Sequence, residues 1–261
     1  MTYVDTHAHL DQEEFDADRP LVLQRASQAG VEAVVAVGIT AASSRAAVAL
    51  AEAYPVVHAA VGIQPNYCAE AGDDDWQEIL TMADQAGVVA LGETGLDRYW
   101  DFAPIDRQQD FFDRHLRLSQ QRDLPVVIHC RNAEAELLPM LREAAARGPL
   151  RGVLHSFSGD AALADVCLRL GLYISFAGMV TYRNRKFQPL REVAATIPDE
   201  KLLIETDSPY LVPHPLRGKQ KRNEPANVAL TAESLAELRG VSVEQLAAAT
   251  AANARRLFAL R

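Results

Sequence analysis

Residues 3–9 read Tyr3-Val4-Asp5-Thr6-His7-Ala8-His9, an apolar start that runs within a few positions into two histidines. The first strand of an open, doubly wound α/β sheet normally leads into a glycine-rich turn that cradles a phosphate. Here the first apolar run, Tyr3–Thr6, leads instead into Thr-His-Ala-His. Seven more short apolar runs follow: Val31–Gly38, Val56–Ile63, Val88–Glu93, Leu124–His129, Gly152–His155, Leu172–Gly178 and Leu202–Asp207. They are rich in Val, Ile and Leu with little alternation, as expected of parallel strands covered on both faces.

The stretches between them read as helices. Ala42–Tyr54 is alanine-rich and follows a threonine suited to capping, and Asp74–Gln85 opens on acidic residues that favour a helix N-terminus. Asp106–Gln121, Ala133–Arg147, Asp160–Leu170 and Phe187–Thr196 carry apolar residues at three- and four-residue spacing. Asn227–Leu238 and Val243–Leu260 follow the eighth run. Eight strand–helix units predict an α/β protein built as a single (β/α)8 TIM barrel over residues 1–261, with its chemistry at the C-terminal mouth. The doubly wound sheet is the alternative, and it needs fewer strands.

No run approaches about 18 consecutive apolar residues, so no membrane association is expected. Cys68, Cys130 and Cys167 lack paired or metal-ligand spacing, and the N-terminus lacks the pattern of a signal peptide. Reduced thiols and a cytoplasmic location are the plain reading. The formal charge of −9 argues against a general grip on duplex DNA, because such binding rests on Lys and Arg neutralising phosphates.

Polar residues close five of the apolar runs. His7 and His9 sit two apart on the first, Glu93 ends the fourth, His129 the fifth, His155 the sixth and Asp207 the eighth. Such groups at the ends of apolar strands are costly unless paired, hydrogen-bonded or metal-bound. Six ligands exceed the needs of one tetrahedral ion, whereas two divalent ions bridged by Glu93 use them all. A binuclear site suits attack of an activated water on a phosphoryl or acyl centre. Asp207 is positioned to bind one ion and to orient or deprotonate that water, so Asp207 and Glu93 are the catalytic candidates. Imidazoles favour zinc, manganese or nickel over magnesium.

The motifs Thr-His-Ala-His-Leu-Asp at 6–11, Gly-Glu-Thr-Gly-Leu-Asp at 92–97, Ile-His-Cys-Arg at 128–131, His-Ser-Phe-Ser-Gly at 155–159 and Glu-Thr-Asp-Ser-Pro-Tyr-Leu at 205–211 resemble the TatD family of metal-dependent hydrolases. The resemblance runs nearly end to end. It implies a barrel of the amidohydrolase superfamily, two divalent metals, and deoxyribonuclease activity of the 3′ to 5′ exonuclease type. By the family pattern His7, His9 and Asp207 serve one metal, His129 and His155 the other, and Glu93 both. The partner implied is DNA, as single strands or 3′ ends, with no obligate protein partner. Two departures stand out. Gly62-Ile63-Gln64-Pro65 carries Gln64 where the family usually has histidine, and Gln64 has no titrating proton to give. The stretch Arg217-Gly218-Lys219-Gln220-Lys221-Arg222-Asn223-Glu224-Pro225 is two residues longer than the family's usual form.

Gln64, Arg183, Arg217 and Lys219 are the substrate-binding candidates, since the loops after strands seven and eight often bind phosphate in TIM barrels. Tyr99, Trp100 and Phe102 either stack bases or merely cover the mouth. His58 and His115 read as packing residues, and His214 as a loop residue. Cys130 should point away from the metals. A lactonase, phosphotriesterase or amidase of the same superfamily is the competing enzyme class, and a degenerate barrel kept as a scaffold is the non-enzymatic one.

Overall fold

The computed structural model describes residues 1–260. Eight parallel strands pair in sequence order: β1 (Tyr3–Ala8), β2 (Val31–Val37), β3 (Val57–Val61), β4 (Val88–Asp97), β5 (Val126–Arg131), β6 (Gly152–Leu154), β7 (Tyr173–Phe176) and β8 (Leu202–Ile204). β1 and β8 close the ring. Ala8 bridges to Ser208, His9 N–H donates to Ser208 O at 2.7 Å, and Asp207 N–H donates to His7 O at 2.9 Å. The expected TIM barrel is therefore the fold.

The helices α1 (Arg19–Gln28), α2 (Ala41–Ala53), α3 (Asp73–Met82), α4 (Ile105–Arg122), α5 (Glu134–Arg147), α6 (Ala161–Arg169), α7 (Gln188–Thr196), α8 (Val228–Arg239) and α9 (Val243–Phe258) alternate with the strands. α1 was not among the helices expected; Asp18 before it and Pro20 in its first turn are the start signals that mark it. β4 runs four residues beyond Glu93, to Asp97, while β6 and β8 end before His155 and Asp207. The three cysteines are free, and no described helix is long and apolar enough to cross a membrane.

Alternate strand positions divide two apolar layers. Val34, Ala36, Ile128 and Ile174 face the helices, whereas Val35, Val37, Val127, Val153 and Leu203 fill the barrel. Ala251, Ala254, Leu257 and Phe258 of α9 pack against that inner layer and floor the barrel. With one end plugged, only the C-terminal end opens to substrate.

His115 of α4 is fully buried, as a packing residue should be. Its Nδ1 lies 2.7 Å from Phe111 O, and its Nε2 accepts from Ile63 N–H at 3.2 Å. That pair of partners fits a neutral ring, and burial pushes its pKa down to about 4. The unfolded chain takes up this proton near pH 6.5 and the folded one only near 4. Stability from this group is thus complete above pH 6.5 and lost as pH falls to 4, by about 3 kcal/mol. Urea unfolding of the metal-free protein and of His115→Gln between pH 7 and 4.5 should show a steeper loss in the wild type. Parallel pH curves would disprove the assignment.

Candidate metal centre

The strand register alone would turn Glu93 the wrong way. Leu91 faces the helices, so strict alternation would send Glu93 outward as well. A break in the β4–β5 register between Leu91 and Thr94, with Gly92 at φ +128°, reverses the parity and turns the carboxylate inward. Only glycine adopts that φ freely, and a Cβ there would lie 2.5 Å from Val127 O. β1 has a similar break between Asp5 and Ala8, with His7 inside it and His9 just beyond, and both rings reach the same donor group.

The six expected residues converge. His7 Nε2, His9 Nε2, Glu93 Oε2 and Asp207 Oδ1 show five mutual distances between 3.2 and 3.7 Å. Donors about 2.0–2.1 Å from a tetrahedral ion stand about 3.3–3.4 Å apart, so these four atoms match such a shell. On the other side of the same carboxylate, Glu93 Oε1 lies 2.9 Å from His129 Nδ1 and 3.2 Å from His155 Nε2, themselves 3.4 Å apart.

The outer hydrogen bonds decide which ring nitrogens are bare. His9 Nδ1 lies 3.0 Å from Val37 O, an acceptor, which places the proton on Nδ1 and leaves Nε2 a lone pair. His129 Nε2 lies 2.9 Å from Asp97 Oδ2, leaving Nδ1 bare toward Glu93. With the rings neutral, lone pairs and carboxylate oxygens thus face one another, an arrangement that a shared cation would satisfy. The electrostatics agree. Burial opposes charge on His9, but Asp207 and Glu93 outweigh it and raise its pKa to about 9. Burial likewise opposes ionisation of Glu93, yet the surrounding imidazoles hold it well below the usual range. The pocket favours positive charge, and metal uptake would release protons.

Two flanking carboxylates were not singled out from the sequence. Asp97 backs His129, and Glu205, fully buried, accepts from Ser156 N–H at 2.6 Å and lies 3.5 Å from His155 Nδ1. Both lie inside quoted motifs, but neither was needed to fill a ligand count. Asp97→Asn turns an amide N–H toward His129 Nε2 and favours the opposite tautomer. Loss of such a partner should weaken divalent-metal affinity roughly 10- to 100-fold. Competition with a chelator at fixed pH measures it, and unchanged affinity would leave Asp97 no part in tuning the site.

A cavity of about 1150 Å³ opens over these residues, with Gln64, Glu93, His129, His155 and Asp207 in its wall. Gln64 is nearly buried, its Oε1 accepting from Asn66 N–H at 2.8 Å. The basic candidates lie elsewhere. Arg183 lines a second cavity of about 720 Å³ beside α8, 3.8 Å from Glu237, and His214 lines it too. Arg217 stacks its guanidinium 4.1 Å from the Tyr182 ring, and Lys219 is exposed on the same loop. None of these three cations lines the mouth. Cys130, expected to point away from the metals, packs in part against the helix-facing layer and also borders the mouth cavity.

The family model described as TatD related DNase matches residues 4–259. An uncharacterized metal-dependent hydrolase of Bacillus subtilis, YabD, is 40% identical over 97% of this chain and 98% of its own length. The 3′-5′ ssDNA/RNA exonuclease TatD of Citrobacter rodentium is 38% identical over 98% of this chain and 97% of its own. The crystal structure of YJJV, a TatD homolog from Escherichia coli, superposes with a TM-score of 0.91 at 33% identity, covering 99% of this chain and 98% of that one. A barrel of this topology, with these donors at its mouth and likeness along its whole length, belongs to the TatD-related DNase family, among its metal-dependent hydrolases.

Proposed function

We propose that the chain is a cytoplasmic phosphodiesterase that removes nucleotides from the 3′ ends of single-stranded DNA, with His7, His9, Glu93, His129, His155 and Asp207 holding two divalent ions. The observation that carries this reading is the division of Glu93: Oε2 faces one donor group and Oε1 the other. A bridging carboxylate requires that division. Two such ions supply Lewis-acid charge for a phosphoryl group and make water nucleophilic near neutral pH. Asp207, bordering both the donors and the cavity, orients the attacking water and takes its proton. Gln64 borders the same space as a neutral amide. It hydrogen-bonds a phosphate oxygen or water but transfers no proton.

The 3′ polarity extends to this chain what the Citrobacter relative is described as doing. The test is to load the protein with zinc or manganese and offer it end-labelled single-stranded DNA beside a panel of lactones and esters. Progressive shortening from the 3′ end is expected. Intact DNA together with rapid lactone turnover would overturn the proposal in favour of the small-molecule class.

A further inference from the structure

Aromatic side chains in this protein are buried or partly buried with five exceptions, and all five line one cavity. Tyr67, Tyr99, Trp100, Phe102 and Tyr210 are 38–61% exposed, and each borders the mouth above the metal donors. Exposed apolar side chains scattered singly need no explanation, but a set gathered round a cleft marks a binding surface. Trp100 and Phe102 stack at 5.4 Å with an angle of 11°, and Tyr99 meets Trp100 edge-on at 4.8 Å. They form a continuous wall.

Among the described residues, the one Arg or Lys lining that cavity is Arg131. Its guanidinium lies 3.7 Å from the Tyr99 ring centroid and 5.7 Å from that of Trp100. No carboxylate forms an ion pair with it among the described residues, whereas the nearby Arg98 is paired to Glu136. A guanidinium stacked on a ring keeps its N–H edge free for a planar or tetrahedral anion. The wall is also tied to the metal donors. Asp97 Oδ1 accepts from Tyr99 N–H at 2.8 Å and Trp100 N–H at 3.1 Å, while Oδ2 holds His129. One carboxylate therefore fixes the distance between aromatic wall and metal donors.

We infer that Arg131 and the Tyr99–Trp100–Phe102 wall form a single-nucleotide subsite, the guanidinium receiving one phosphate and the rings stacking its base. The inference rests on the reading of the substrate as nucleic acid and adds how it is held. Stacking is tolerant of sequence because every base has a π-face, and it requires an unpaired base. One cation means that one phosphate is neutralised, so the slope of log affinity against log salt should be roughly 0.7 in magnitude. A strand tracked along the Arg183 and Arg217 loops would give a slope several times steeper.

The experiment compares a 12-mer of natural nucleotides with one whose last two 3′ nucleotides are abasic. Trp100→Ala with Phe102→Ala should lose roughly 10- to 100-fold in kcat/KM on the natural strand, mainly through KM, and change little on the abasic one. Trp100→Phe should stay within a few-fold of wild type. Arg131→Ala should weaken both strands alike and bring the salt slope near zero. A readout without chemistry comes from metal-free protein: the natural strand should quench tryptophan fluorescence, and Trp100→Phe, which leaves only Trp76, should abolish that quench. If the paired variant loses equally on natural and abasic strands, or wild-type fluorescence ignores the strand, the subsite is overturned while the nuclease reading survives. If the strand quenches Trp100 with the base-dependence described but is never cut, the subsite stands and the nuclease reading falls.

Discussion

Glu93→Ala is expected to lose roughly three orders of magnitude in turnover and to take bound divalent metal from two equivalents per chain to one or none. Losing a hydrogen-bond partner of a ligand already lowers affinity or activity about 10- to 100-fold. Glu93 lies one shell further in. Its carboxylate is within 3.7 Å of His7, His9, His129 and His155 and would carry the charge that offsets a cation bound among them. Glu93→Gln sharpens the test, because an amide offers one acceptor oxygen where the carboxylate offers two. It should keep part of the metal and little of the activity. Elemental analysis after removal of loosely bound ions, with turnover on the same sample, measures both. Full metal content with near-normal turnover in Glu93→Ala would refute the bridging role.

Gly95→Ala should be among the most damaging glycine substitutions to the fold. Gly95 pairs with His129 across β4 and β5 and has φ +134°. An added Cβ would lie 2.1 Å from His129 O, a backbone atom of β5, which is held on both sides by β4 and β6. Positive φ and a backbone clash together place the cost above about 4 kcal/mol, in the range where single substitutions unfold a marginal domain. Gly218→Ala is the control. It has positive φ too, but nothing lies within 4 Å of the added atom, so it should cost only the backbone strain of roughly 1–2 kcal/mol. Urea midpoints of the two variants decide it, and equal midpoints would mean that the β4–β5 register is wrong.

The barrel and its donors were legible because both rest on local pattern. Eight Val- and Ile-rich runs needed no tertiary information, and the polar residues that closed them stood where a parallel barrel places its mouth. What the sequence hid depends on single torsions and on packing. Nothing in Leu91-Gly92-Glu93 announces that the glycine takes positive φ and reverses the parity, although the carboxylate's direction follows from it. Arg183, Arg217 and Lys219 follow the strands whose loops commonly hold phosphate, yet Arg217 settles on Tyr182. Arg222 in the same loop reaches Asp18 at 2.7 Å, and Glu224 reaches Arg25 at 2.6 Å, which ties the segment to α1. Arg131 stands two residues beyond His129 within a quoted motif, but only its place over the Tyr99 ring sets it apart from other surface arginines.

The seam between β1 and β8 also bears on when the protein becomes active. Asp5 and Thr206, hydrogen-bonded at 2.6 Å across that seam, are 201 positions apart in the chain. α9, which floors the barrel, follows β8 in the chain. During synthesis His7 and His9 therefore emerge well before Asp207, and the inner apolar layer before its floor. Until β8 has closed against β1 the polypeptide has no complete cage in which to trap an ion, so closure of that seam and assembly of the donor set are one event.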